Sequence, residues 1–531
     1  MQFNREQQKA IRHLNGPMMV LAGPGSGKTT VLVHRILHMV ETHGILPEQL
    51  LVLTFTRAAA REMELRCKKL QSERACDARL QTCRESTQGL AGQITFGTFH
   101  SVFFQFLCSA RGYTARNIAG ERQCFAVLRE VLSRAFAAQR FTTDMTELLL
   151  AAIGSYKNAQ HPEDVDYPVE QALFVRIYEA YGKAMRRAGL LDFDDMLLEC
   201  LSLLRQEPDK LLALRRRFAY LMVDEFQDIN QTQFEIVRLL AAPRNNLFIV
   251  GDDDQSIYGF RGAKPQLMLS FPKVFPQCKT VVLGTNYRSD ERIVAHSLKL
   301  IGHNQQRYEK ALHAAAAGRG RAAGQERSAG QWCGAGQRYS ASQEHAIGQA
   351  RGAGLWVHGV RNASEEAAVL AKDIAAARKR GTAYSDMAVL CRTKKLAAQL
   401  PEALAKAGIP FLRFGEKPAE DVGKRAAPFE NTAKLCAEDA LRLMTFHASK
   451  GLEFEEVWII GANEGDTPSK LAEDAAQVEE ERRMFYVAMT RAKERLHIFV
   501  TLAPYNQTQK ASRFVTEAGL ALPKLTEASA G

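Results

Sequence analysis

Short apolar runs recur along the chain, each closing on Gly, Thr, Asp or Ser and leading into a stretch whose hydrophobic positions carry helical spacing. That alternation predicts the α/β class, parallel sheets covered by helices. One series of predicted strands comprises Met18 to Ala22, Leu51 to Thr54, Leu221 to Val223 and Leu247 to Val250; a second comprises Val281 to Leu283, Met387 to Cys391, Val457 to Ile460 and Leu496 to Val500. Two series imply two α/β domains. Between Phe103 and Leu191 the pattern is helical and carries Tyr113, Tyr156, Lys157, Tyr178, Arg186 and Arg187, which reads either as a basic, aromatic face for nucleic acid or as ordinary core. The stretch from Ala314 to Gly354 is rich in Ala, Gly, Gln, Ser and Arg and lacks apolar periodicity, so a disordered insert is expected there.

Composition narrows the class. A chain of 531 residues exceeds one hydrophobic core, and 46% hydrophobic residues can fill about two to four compact units. The start, Met1-Gln2-Phe3-Asn4-Arg5-Glu6-Gln7, lacks the layout of a secretory signal, and no apolar stretch is long enough to span a bilayer; a cytoplasmic protein without membrane contact is expected. Ten cysteines are scattered, and even Cys67, Cys76 and Cys83 lack the ligand spacing of a zinc or iron–sulfur site, so reduced thiols are expected. A net charge of +11 and a pI near 9.1 favour a polyanionic partner, because each cation that neutralises a phosphate releases a counterion.

The strongest chemical signal is Ala22-Gly23-Pro24-Gly25-Ser26-Gly27-Lys28-Thr29, which follows a predicted strand and opens a predicted helix. In that context the backbone N–H groups of a glycine-rich turn cradle phosphates, Lys28 reaches the terminal ones, and the Thr29 hydroxyl ligates magnesium. Leu221-Met222-Val223-Asp224-Glu225-Phe226-Gln227-Asp228 then sets two carboxylates just past an apolar strand, where ligands of open α/β sheets sit. Asp224 suits a magnesium partner, and Glu225 a group that polarises the attacking water. Together, in this order, they point to hydrolysis of a nucleoside triphosphate.

The further motifs are Phe3 to Gln7, Leu53-Thr54-Phe55-Thr56, Gly97-Thr98-Phe99-His100-Ser101, Gly251 to Tyr258, Asn286-Tyr287-Arg288-Ser289, Thr445 to Phe454 and Tyr486 to Lys493. As an ordered set they resemble the motifs of the UvrD/Rep/PcrA group of superfamily 1 DNA helicases, over most of the chain to about Val500. The resemblance implies two RecA-like parallel-sheet motor domains of the P-loop NTPase kind with a helical insertion. The first motor domain would occupy 1–103 and 191–278, the insertion 104–190, and the second motor domain 279–313 and 355–510, with a tail at 511–531. It also implies an ATP- and magnesium-dependent enzyme that travels 3′-to-5′ on single-stranded DNA and opens duplexes at single-strand/duplex junctions, in repair or replication.

Residue roles follow from the same resemblance. Gln7 would contact adenine, Tyr287 stack on it, Glu453 hold the ribose and Gln255 sense the terminal phosphate, while Arg288 and Arg491 match the arginine fingers that steady a loose phosphoryl-transfer transition state. Phe55, Tyr258 and Phe260 match base-stacking positions, and Thr56, Thr98, His100 and Arg261 match backbone or base contacts. The sequence departs from its relatives where Thr30 replaces a common Arg facing the adenine and Phe260 a usual Trp. Only about Glu416 to Ala437 stands in place of the relatives' accessory domain, too short for a core, and no nuclease is expected after the last motif. Two alternatives stay open: a translocase that displaces proteins with little unwinding, and a non-catalytic DNA-binding module.

Asp192-Phe193-Asp194-Asp195 is also familiar in that family, but an acid at a helix start caps free N–H groups, and no catalytic role is assigned to it.

Overall fold

The structure, a computed structural model, describes residues 2–76, 93–158, 165–315, 354–415, 439–502 and 510–522. The expected disordered insert at 314–354 and the short stretch at 416–437 therefore fall almost wholly outside the described residues. The chain divides by packing into two units: Met1–Gly23, Gly27–Gly284 and Arg307–Lys310 form the first, and Pro24–Ser26, Thr285–Gln306 and Ala311–Gly531 the second.

Unit 1 is built on six parallel strands, β1 (Met18–Ala22), β2 (Leu50–Thr54), β3 (Thr95–Thr98), β4 (Tyr220–Val223), β5 (Leu247–Gly251) and β6 (Lys279–Leu283), in the order β3-β2-β4-β5-β1-β6. Every residue of β1 and β2 is buried, because helices cover both faces of the sheet. Successive side chains of β1 enter opposite cores: Met19 and Leu21 join Phe99, Phe103 and Leu197, while Met18, Val20 and Ala22 join Val31, Ile36 and Val52. This pleat explains why the strand reads as an unbroken apolar run. One strand is not where the sequence pattern put it. Val281 to Leu283, grouped above with the second series, pairs with β1 at the edge of the first sheet.

Three helices of the same unit, Glu121–Ala135, Thr143–Asn158 and Gln171–Arg187, close around their own core of Leu128, Leu132, Leu149, Ile153, Phe174, Ile177 and Tyr181. Tyr156 lies edge-on to Phe174 and Tyr178, so both tyrosines pack as core. Lys157 is likewise withdrawn: its Nζ lies 2.6 Å from both Asp192 and Asp195, with 3% of the side chain exposed. Asp192 also caps the helix Phe193–Gln206 by accepting from the Asp195 N–H, as its sequence context predicted. Arg186 and Arg187 remain exposed.

Unit 2 carries a second parallel sheet of β9 (Gly354–Val360), β10 (Met387–Cys391), β11 (Phe411–Leu412), β12 (Leu441–Thr445), β13 (Phe454–Ile459) and β14 (Ala492–Thr501), in the order β11-β12-β10-β13-β14-β9. One face packs against the helix Ala363–Lys379 through Leu370, Ile374, Val389, Trp458 and Phe499. A two-stranded parallel pair, β7 (Thr285–Asn286) and β8 (His313–Ala314), completes this unit.

Candidate active site

All strands of the first sheet are parallel, so their carboxyl ends share one edge, and every predicted site segment of unit 1 that follows a strand lies there. The segments after β1, β4 and β5 carry the candidate nucleotide residues; those after β2 and β3, and the further part of that after β5, carry candidate DNA contacts.

Past β1, Ala22 and Gly23 lead into the loop, in which Gly25 and Gly27 both take left-handed backbone, with φ of +65° and +83°. A side chain would strain either position. Gly27 is the N-cap of the helix Lys28–His43, so Lys28, Thr29 and Thr30 form its first turn, whose N–H groups and positive dipole end suit a phosphate. Gln7, from a helix whose start Asn4 caps reciprocally with it, brings its Nε2 close enough that a Cβ on Gly27 would lie only 3.3 Å away. Pro24 and the buried Ser26 complete the loop sequence.

At the end of β4, the Asp224 N–H still donates to Leu53 O at 2.9 Å, continuing the ladder, and the chain then turns sharply. Glu225 takes φ of +51°, uncommon for a residue with a side chain, which aims its carboxylate back at Lys28 with 3.8 Å between Oε1 and Nζ. Burial is the chief reason the Asp224 carboxyl is pushed up to about 7, and repulsion from Glu225 adds to it while Lys28 opposes. A buried acid beside a second acid suits a divalent cation; with the Thr29 hydroxyl it would supply hard oxygen donors of the kind magnesium takes.

Gln227, wholly buried, ties this acidic turn to the end of β5. Its Nε2 donates to Glu225 Oε2 at 2.5 Å, its Oε1 accepts from the Asp252 N–H at 2.9 Å, and its carbonyl accepts from Ser256 Oγ at 3.0 Å. Gly251 is glycine for this reason, since a Cβ would sit 2.5 Å from Gln227 Oε1. Gln255 in turn donates to Asp252 Oδ2 at 2.5 Å. Sequence reasoning missed Gln227, although its place inside the acidic motif was visible.

It also missed what holds Asp252, Asp253 and Asp254, all fully buried. Lys310 contacts the three at 2.6, 2.5 and 2.9 Å with its side chain wholly enclosed, and Arg307 grips Asp254 through two hydrogen bonds of 2.8 and 2.7 Å. Burial drives the Asp252 pKa upward, yet Lys310 and then Lys28 outweigh it and leave the carboxyl below its ordinary value. Three consecutive buried acids require such countercharge, and that requirement was the available signal.

Beyond β5 the chain presents aromatic rings. Tyr258 stacks on Phe55 with ring centres 4.6 Å apart and planes at 22°, Phe260 lies 6.0 Å further with 63% of its surface exposed, and the Arg261 guanidinium sits over both Tyr258 and Phe260. Thr56 is exposed and accepts from the Ala59 N–H, and Thr98 caps the helix Phe99–Arg111 together with Ser101. The His100 ring meets Phe193 edge-on, and burial lowers its pKa. Phe55, Tyr258, Phe260 and Arg261 thus form one cluster.

In unit 2, Asn286 Oδ1 accepts from the N–H groups of both Arg288 and Ser289, at 2.7 and 2.9 Å, and fixes the turn that carries the half-exposed Tyr287. Arg288 Nη2 lies 2.7 Å from Glu453 Oε2, and Lys493 approaches the other oxygen at 3.4 Å. Burial works to raise the Glu453 pKa, but the two cations prevail and hold it below the usual carboxylate range. Arg491 is 1% exposed and donates to Val487 O, Leu452 O and Thr490 Oγ1.

A phosphate loop, an acidic strand end and a second sheet of the same parallel build define a P-loop nucleotide-binding protein with two RecA-like sheets. The UvrD/REP helicase N-terminal domain model matches residues 3–276, and the UvrD-like helicase C-terminal domain model matches residues 281–417 and 429–503. The chain belongs to the UvrD/REP helicase family. It is 28% identical to the putative ATP-dependent DNA helicase YjcD of Bacillus subtilis, over 97% of this chain and 80% of that one. It is 32% identical to the ATP-dependent DNA helicase PcrA of Staphylococcus epidermidis and 31% identical to that of Leuconostoc citreum, each over 78% of this chain. The chain spans about half the length of these PcrA relatives, 51% and 50%. Among the described residues, no helix is long and apolar enough to cross a membrane.

Proposed function

We propose that this protein is an ATP-driven motor that travels 3′-to-5′ along single-stranded DNA and opens duplexes at single-strand/duplex junctions. The observation that carries the reading is the hydrogen-bonded path within unit 1 from Glu225 through Gln227 to Asp252, because the segment after Asp252 bears Tyr258, Phe260 and Arg261. A change at the hydrolytic carboxylate is thereby passed to side chains suited to holding bases, and stacking on aromatics is indifferent to sequence. Relatives named as ATP-dependent DNA helicases support the same reading.

In this reading Lys28 and the first turn of its helix hold the phosphates, Glu225 orients the attacking water, and Gln255 senses the terminal phosphate. Thr29 and Asp224 would hold magnesium, which when bound supplies positive charge beside the phosphates. Gln7, Tyr287 and Glu453 grip the base and sugar, and Arg288 and Arg491 serve as arginine fingers. Phe55, Tyr258 and Phe260 stack on bases while Thr56, Thr98, His100 and Arg261 follow the strand.

The test is ATP hydrolysis with and without single-stranded DNA, together with unwinding of matched duplexes carrying a 3′ or a 5′ tail. The expected result is DNA-stimulated turnover, abolished by Lys28→Ala and by Arg491→Ala, and unwinding of the 3′-tailed substrate alone. DNA-independent turnover indifferent to both substitutions would overturn it. DNA-stimulated turnover without strand separation would favour the protein-displacing translocase.

A further inference from the structure

Four side chains of unit 2 that the motor reading does not use converge where β13, β14 and β9 run side by side. The register aligns Trp458, His497 and Trp356 across the three strands, and the rings stack, with the two tryptophans 5.3 and 4.9 Å from the histidine at 10° and 16°. Two residues along, on the same face, His358 opposes Phe499 and stacks on it at 4.6 Å. These stacks lock both imidazoles in orientation. His358 Nε2 then lies 3.0 Å from His497 Nδ1, and His497 Nε2 lies 3.2 Å from Glu456 Oε1. The fourth element is the helix Ala363–Lys379, whose Asp373 places a carboxylate oxygen within 4.8 Å of ring nitrogens of both histidines.

Two features of this group ask for a further partner. Asp373 Oδ2 is a buried atom without a hydrogen-bond partner, and a buried acceptor left so is costly; Glu456 is already countered by two guanidinium groups, Arg380 at 2.6 Å from Oε1 and Arg495 at 3.5 Å from Oε2. The proton arrangement is also constrained. A carboxylate oxygen only accepts, so in the neutral ring His497 Nε2 donates to Glu456, and the Nδ1 lone pair faces His358 and the Asp373 side. A carboxylate behind a histidine whose other nitrogen faces a ligand position is the usual outer-shell arrangement of protein metal sites.

We infer that His358, His497 and Asp373 form a binding site for a divalent transition-metal ion of the zinc class, with Glu456 as the residue that orients His497. Two nitrogens and a carboxylate oxygen suit zinc or cobalt rather than magnesium or calcium, which favour all-oxygen shells. The spacing is close to what binding needs. Metal–nitrogen bonds of about 2.1 Å span nitrogens 3.0 Å apart at roughly a right angle, and a small parting of the two rings brings them to tetrahedral separation. The His358 ring shifts its proton from Nε2 to Nδ1 as it becomes a ligand, so no proton need leave the protein. Because β9 is the edge strand of the sheet, the ion would pin that edge to β14 and to the helix.

The experiment is calorimetric titration of the full, chelator-treated chain with zinc, and with cobalt followed by visible absorption. It is repeated for His358→Gln and Asp373→Asn, whose side chains are partly exposed and tolerate exchange. Saturable binding of zinc is expected in the wild type, weakened at least tenfold in each variant, with Glu456→Gln losing about 10–100-fold. Cobalt should show nitrogen and oxygen coordination without a thiolate charge-transfer band. That spectrum of the wild type decides the matter even if the variants fold poorly. The inference falls if the wild type takes up no zinc, if both well-folded variants bind as tightly as the wild type, or if the cobalt spectrum shows thiolate ligands. None of these readouts depends on nucleotide hydrolysis.

Discussion

The Lys310 ammonium lies 2.6 Å from Asp252 with neither side chain exposed, and it is shared with Asp253 and Asp254. Its segment, Arg307–Lys310, packs into unit 1 although most of its chain neighbours belong to unit 2. Removing one partner of a buried ion pair leaves uncompensated charge and costs about 3–5 kcal/mol. Lys310→Met is therefore expected to destabilise unit 1 by about that amount in denaturant titration. The loss should be smaller when Asp252 is also Asn. An unchanged unfolding midpoint would show that the cage contributes nothing net.

The Gln227 bridge makes a separable prediction. Gln227→Leu keeps approximate volume but removes the donor to Glu225 and the acceptor for the Asp252 N–H. If Glu225 orients the attacking water, its mispositioning should lower turnover by about 10²-fold or more, the usual share of a positioned acid or base. Nucleotide affinity, set by the loop and Lys28, should change far less. Measured kcat and KM distinguish this from collapse of the site, in which both would fail together.

The contrast between these residues and the phosphate loop shows what local sequence can reveal. The placement of Lys28, Thr29, Asp224 and Glu225 at a helix start and a strand end was readable because it depends on residues a few positions away. Lys310 sits in an unpatterned stretch and becomes meaningful only once the fold brings it to Asp252, 58 positions earlier. The same applies to His358 and His497, separated by 139 positions and joined by strand register. Lys157 shows where pattern leaves two readings open: a lysine among tyrosines fits a nucleic-acid face or a core, and two carboxylates, visible only in three dimensions, claim it. Val281 to Leu283 has an apolar pattern that marks a strand but not the sheet it joins; pairing with β1 settles that.

Among the aromatic candidates, Phe260 is the cleanest probe. Phe55 and Tyr258 occupy one face of each other, so replacing either also disturbs its neighbour, whereas Phe260 is largely exposed. Base stacking contributes about 1–3 kcal/mol per base by alanine substitution, so Phe260→Ala should weaken single-stranded DNA binding by roughly 5- to 150-fold. Phe260→Trp should hold or strengthen it. Fluorescence anisotropy with a labelled oligonucleotide measures both, and equal affinity of Phe260→Ala and wild type would remove this ring from the track.

Glu366 gives unit 2 a pH dependence of predictable sign. It is 5% exposed on the helix Ala363–Lys379, and burial, with Asp466 adding repulsion and the Gly461 backbone opposing, pushes its carboxyl up to about 7 from 4.5. Between those values the folded chain holds a proton that the unfolded chain has released, so stability falls as pH rises through the window and levels off above it. The full effect has an upper figure of about 3 kcal/mol. Glu366→Gln cannot ionise, so it should match the wild type near pH 4.5 and exceed it by up to that amount at pH 8. The quantity to follow is the difference between the two stability curves, in which other titrating groups cancel. A difference that stays flat from acid to neutral pH would mean that Glu366 keeps its charge in the folded state and that another group answers for its burial.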